Sequence, residues 1–169
     1  AVYDLMVRLH KGKTAERPAS TRKVDPPLAV DRRANLALII DDMGRNGDVF
    51  DRILELSIPL TLSFLPDAPL STSQSEMASW KGYDVMLHLP MEPIGYPKAN
   101  PGELAVFCWM GDRKIKEVVE RAISTIPKAI GVDNHMGSKA TQDERVMRVV
   151  LSILKRHGLF FVDSMTTPG

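Results

Sequence analysis

The chain has 169 residues, 44% apolar and 25% charged, and its 22 basic and 21 acidic side chains leave a net charge of +1. That length supports one domain with a real core, and so balanced a charge supplies no global field for nucleic acid. The one cysteine, Cys108, excludes an internal disulfide without choosing between cytosol and periplasm. It lies in the apolar run Ala105–Met110 and reads as packing. No apolar stretch approaches the roughly 20 residues of a membrane-spanning helix, and no signal peptide is visible, which a mature or a trimmed chain would share.

Residues 1–33 read as a flexible basic segment. Lys11, Lys13, Arg17, Arg22, Lys23, Arg32 and Arg33 alternate with Pro18, Pro26 and Pro27, and there is too little apolar surface to offset ordering. Contact with an anionic lipid or polymer is the alternative use of these cations. Only Val2–Val7 can add a short strand.

Residues 34–169 read as one α/β domain. Leu36–Ile40 is a continuous apolar run, as in a strand buried on both faces, and it stops at Asp41-Asp42. Helical spacing follows over 47–56, then Pro59 and a second strand over Leu60–Leu65. Ser73–Glu76 has the form of a capping box before a short helix that Gly82 ends. Asp84–Leu89 is a third strand, closed by His88. After a Pro- and Gly-rich loop at 90–102, Asp112 is placed to cap a helix reaching Ile126. Lys128–Val132 is a fourth strand, Thr141–Glu144 a second capping box before a helix ending at Gly158, and Leu159–Val162 a fifth strand.

Strand–helix alternation predicts a parallel sheet with helices outside it and a ligand site beyond the carboxyl ends of the strands. Polar residues recur at that end: Asp41 and Asp42, then His88 with Glu92, then Asn134 and His135, then Asp163. In the Asp pair, one carboxylate can bind a cation while the other serves as a base; a helix cap beside a solvated Asp is the plainer alternative. His88 alone fits a satisfied core histidine, and Asn134-His135 fits a turn at Gly137. Asp42, His88 and His135 together make a carboxylate and two imidazoles, a donor set that leaves positions open on Zn²⁺ or another divalent ion.

Leu-Ile-Ile-Asp-Asp-Met-Gly (38–44), His-Leu-Pro-Met-Glu (88–92), Gly-Val-Asp-Asn-His-Met-Gly-Ser (131–138) and Phe-Phe-Val-Asp-Ser-Met-Thr (160–166) resemble the divergent polysaccharide deacetylase family, related to the NodB-like carbohydrate esterases. The resemblance covers roughly residues 36–167. It implies an irregular (β/α) barrel that removes N- or O-acetyl groups from an envelope or extracellular glycan, hence a periplasmic or cell-envelope location. It also implies Asp41 as the base and Asp42, His88 and His135 as the ligands of a divalent metal, Zn²⁺ first. Glu92 stands where the ordinary relatives carry a second histidine. Family members also continue with a further Asp-containing strand and a late Gly-His motif, whose histidine is the general acid. Neither occurs here, and a closed barrel of this type needs about 200 residues or more. The C-terminal part of the fold is therefore expected to be missing from this chain.

The sequence thus supports a metal-dependent deacetylase acting on an acetylated polysaccharide or peptidoglycan-like glycan. The alternative is an envelope-associated, non-catalytic carbohydrate-binding protein of the same fold, favoured by Glu92 and the absent late histidine. An α/β domain without metal is the third reading.

Overall fold

The computed structural model describes residues 5–7 and 36–167. The expectation of a flexible basic segment over 1–33 falls outside these residues, apart from β1 (Leu5–Val7). β1 pairs antiparallel with β2 (Leu38–Met43), Met6 facing Ile39. β2, β3 (Thr61–Phe64), β4 (Asp84–Met91), β5 (Gly131–Met136) and β6 (Phe160–Val162) then pair in parallel and in chain order.

The crossovers carry α1 (Gly47–Leu54), α2 (Ser71–Trp80), α3 (Asp112–Thr125) and α4 (Glu144–Arg156). Strands in sequential order joined by crossovers of one hand place every helix on the same face, as in the wall of a (β/α) barrel. Side chains alternate along a strand, so each strand sends one set to the helices and the other to the concave face. Leu62, Phe64, Val85, Leu87, Leu89, Met91 and Val132 pack with Phe50, Ile53, Ala78, Val119 and Val150 of the helices in the main core. The opposite set includes Ser63, Met86, His88 and Asp133, all buried. Among the described residues β6 has no second strand partner, and Phe160 is 49% exposed.

Several boundaries differ from expectation. β4 continues through Pro90 to Met91, and β5 starts at Gly131 but runs on to Met136. Asn134 and His135 therefore lie inside a strand, not after it, and His88 sits in mid-strand rather than at its close. Local capping rules misplaced three helix starts. α2 begins at Ser71 without a side-chain cap, and Ser73 instead bonds back to the Leu70 carbonyl. Gly111, not Asp112, precedes α3, and Asp112 pairs with Arg145 at 2.8 Å. α4 is capped by Asp143, whose Oδ1 accepts from the Val146 amide at 3.0 Å, while Thr141 sits in a 3₁₀ turn.

Asp143→Ala is expected to cost about 1 kcal/mol of stability. Glu76→Ala, at the position of the unused box, is expected to stay within about 0.5 kcal/mol of the parent. Urea unfolding of the two variants checks both values.

Candidate metal centre

β2 ends in an irregularity that decides the geometry of the site. In a regular strand Asp41 and Asp42 would point to opposite faces. Here the register with β3 slips between Ile40 and Met43, and Asp42 takes φ 58°, the left-handed region that non-glycine residues rarely adopt. Both carboxylates consequently line one cleft of about 670 Å³, together with His88, His135, Asn134, Ser138 and Ser164.

His88 and Asp133 are register neighbours on β4 and β5. Asp133 Oδ2 lies 2.9 Å from His88 Nδ1, and its Oδ1 accepts from the Ser63 hydroxyl. His88 and Asp133 are 4% and 1% exposed, so this pairing satisfies groups that water cannot reach. A neutral His88 that donates from Nδ1 turns its Nε2 lone pair to the cleft. There Nε2 meets His135 Nδ1 at 3.1 Å, and Asp42 Oδ1 lies 3.1 Å from His135 Nδ1 and 3.5 Å from His88 Nε2.

Two facing imidazole nitrogens and a carboxylate oxygen repel one another through their lone pairs unless a proton or cation lies between them. Ligand atoms of Asp42, His88 and His135 all fall within 4.8 Å of one another, as do those of Asp41, His88 and Asp133. Asp41 Oδ1 is buried without a hydrogen-bond partner among the described residues. These donors fit a small divalent cation: a mixed nitrogen and oxygen set with one face open to the cleft.

The electrostatics follow from the crowding. Burial pushes the Asp41 carboxyl up to about 7, reinforced by Asp133 and opposed by His88. The hydrogen bond with His135 holds Asp42 below the usual carboxylate range. Burial disfavours a charged His88, but Asp133, Asp41 and Asp42 outweigh it and raise its pKa.

The other residues expected at the site do different work. Glu92 is buried and turns away from the donors. Its Oε2 accepts from the Cys108 amide at 2.7 Å and its Oε1 from Lys139 Nζ at 2.7 Å, so it ties the loop after β4 to the turn after β5. Asn134 donates to the Met136 carbonyl and accepts from the Ser164 amide, pinning the segment after β6 to the cleft. Asp163 is exposed, accepts from the Met165 amide, and does not line the cleft. Cys108 is half-buried and its thiol is pushed up to about 11 by burial and Glu92, which fits packing and not reactivity.

Asp133 and Ser63 were absent from the candidate set. Asp133 had a legible signal, because it stands two residues before His135 on one strand face. Ser63 had none in the local sequence.

The family of divergent polysaccharide deacetylases matches residues 38–169. The chain belongs to this family. Over 131 residues it is 32% identical to the uncharacterized protein YibQ of Escherichia coli K12, covering 78% of this chain and 40% of that protein. It is 31% identical over 134 residues to an uncharacterized protein of Haemophilus influenzae, covering 79% of this chain and 47% of the relative. The chain thus spans less than half the length of these relatives. The crystal structure of the uncharacterized protein ATU2773 from Agrobacterium tumefaciens superposes with a TM-score of 0.72 at 21% identity, over 77% of this chain and 53% of that one. That likeness shows the shared α/β fold. No helix among the described residues is long and apolar enough to cross a membrane.

Replacing Glu92 separates scaffold from centre. Glu92→Gln is expected to lower stability by roughly 1–3 kcal/mol at neutral pH while leaving divalent-metal affinity within about twofold of the parent. Burial works against the Glu92 carboxylate, but Lys139 and the Cys108 amide together pull its pKa down. Its stabilisation is therefore present above the ordinary glutamate value and lost as pH falls through the depressed one. The gap between parent and variant should close on acidification, as followed by unfolding across pH with metal titration alongside.

Proposed function

We propose that this chain carries the centre of a metal-dependent carbohydrate deacetylase, which hydrolyses N- or O-acetyl groups on an envelope or extracellular glycan in the periplasm or at the cell surface. The observation that carries the reading is the triangle of Asp42, His88 and His135 donors beside Asp41, in a member of the polysaccharide deacetylase family. Asp42, His88 and His135 would hold the ion, Zn²⁺ being the best match to two imidazoles and a carboxylate. Bound there, it would supply Lewis-acid polarisation of the acetyl carbonyl and acidify a water.

The chain's own groups do the rest. Asp41 takes the proton of the attacking water; burial holds its carboxyl close to neutrality, the range a general base needs. The same carboxylic acid then stands ready to return that proton to the departing amine or alcohol. Asp133 keeps the His88 ring turned so that Nε2 faces the cleft, and Ser63 holds Asp133. Glu92, engaged by Lys139 and the Cys108 amide, supports the loops around the cleft and supplies no ligand.

The roles separate by mutation. Asp42→Ala is expected to lose bound metal and acetate release together. Asp41→Asn should keep the metal while its rate of acetate release from acetylated chitooligosaccharides or peptidoglycan fragments falls by roughly 10²–10⁴. Equal metal loss in both variants would sink the division of labour. A parent protein that binds Zn²⁺ and glycan yet releases no acetate would favour the non-catalytic carbohydrate-binding reading.

Asp133→Asn provides a further check on positioning. It should weaken metal binding by roughly 10–100-fold in competition with a chromophoric chelator, the usual consequence of losing a carboxylate behind a ligating histidine. Unchanged affinity would remove Asp133 from the centre.

A further inference from the structure

A second cleft of about 650 Å³ lies beside the first, lined by Arg45, Asp67, Tyr96, Asn100, Glu103 and Phe107. The two share a wall. Pro93 and Ala99 of the loop after β4 line the first cleft, while Tyr96 and Asn100 of the same loop line the second. Arg45 stands three residues beyond Asp42, at the same end of the sheet.

Two aromatic rings, Tyr96 and Phe107, line this cleft, and Trp109 extends the row outside it. Tyr96 meets Phe107 edge to face at 4.9 Å, and Trp109 stacks on Phe107 at 5.5 Å and 22°. Phe107 is buried, but Tyr96 is 41% exposed and Trp109 70%. An indole left this open forgoes the gain from burial, and its stacking fixes the ring before any ligand arrives, so ordering it on binding costs little.

Open aromatic faces next to a guanidinium, an amide and two carboxylates match one chemistry well. A pyranose offers a C–H face to such rings and hydroxyls that can pair with the amide nitrogen of Asn100, the carboxylate of Glu103 and the loosely paired Arg45 and Asp67, whose Nη2 and Oδ1 stand 4.0 Å apart. The mixed signs of Arg45, Asp67 and Glu103 suit a neutral sugar better than an anion or a cation.

We propose that this cleft and the Trp109 face form an additional glycan subsite, which binds neutral sugar units next to the unit whose acetyl group reaches Asp41 and Asp42. The inference rests on the deacetylase reading of the first cleft. It makes the protein a reader of chain length: an oligosaccharide long enough to occupy both clefts binds more tightly than one confined to the first.

The full chain with Trp80→Phe retains Trp109 as its one tryptophan, and Trp80 is 82% exposed at the end of α2, so its loss disturbs little packing. A chitin-derived hexasaccharide is expected to change Trp109 emission and to bind roughly tenfold more tightly than the disaccharide. Tyr96→Ala and Asn100→Ala should each remove most of that gain while leaving the disaccharide affinity within about twofold, with circular dichroism checking that each variant stays folded. Equal affinity for the two lengths, or variants that keep the full gain, overturns the subsite. Acetate release measured in the same samples distinguishes the two proposals. Release without length dependence overturns the subsite alone. Length-dependent binding without release supports the subsite and overturns hydrolysis, and neither binding nor release overturns both.

Discussion

The pairing of His88 with Asp133 is the contact on which the site depends. Both side chains are buried on the concave face of the sheet, and neither could stay there alone without a large desolvation cost. At 2.9 Å they satisfy each other, and the Ser63 hydroxyl occupies the remaining Asp133 oxygen. Three neighbouring strands, β3, β4 and β5, are thereby joined through side chains as well as through their ladders. The His88 ring is left with one defined orientation and one nitrogen for the cleft.

The bulge at the end of β2 is the counterpart of that rigidity. Sequence neighbours on a strand point apart, and only the register slip with left-handed Asp42 lets both carboxylates serve one cleft. Such a backbone conformation costs about 1–3 kcal/mol. The result is a crowded, partly buried set of like charges that the rest of the fold holds in place. Sequential strand order supplies the hold, since the helices pack against one face and leave the concave face to the polar groups.

The loop after β4 links the two clefts. Glu92 anchors its start through the Cys108 amide and Lys139, and the Val106 amide donates to the Pro90 carbonyl where Val106 bridges to Met91. A carboxylate expected beside the metal ligands instead braces the walls of the site. The chain matches less than half the length of two curated relatives, and β6 lies at the sheet edge among the described residues. Both clefts are built on β2–β6 and the loops that follow these strands.

Hydrophobic periodicity alone disclosed the α/β order, because a strand buried against helices and a helix with one buried stripe each leave a pattern in consecutive residues. The end of the sheet where the polar residues gather was equally legible: Asp41, Asp42, His88, Asn134 and His135 all line the same cleft. Local rules failed where two local solutions compete. Ser73 and Thr141 had good capping patterns, but packing started the helices elsewhere. Pairing with β5 carried β4 through Pro90, where proline chemistry predicts a stop. What belonged to the tertiary structure alone was the choice of partners. Glu92 was four residues from His88 in the chain, yet Cys108 and Lys139 claimed its oxygens; Ser63 was 70 residues from Asp133, yet it holds that carboxylate. Hydrogen bonds of such separation depend on strand register and sheet curvature, which no window of neighbouring residues encodes.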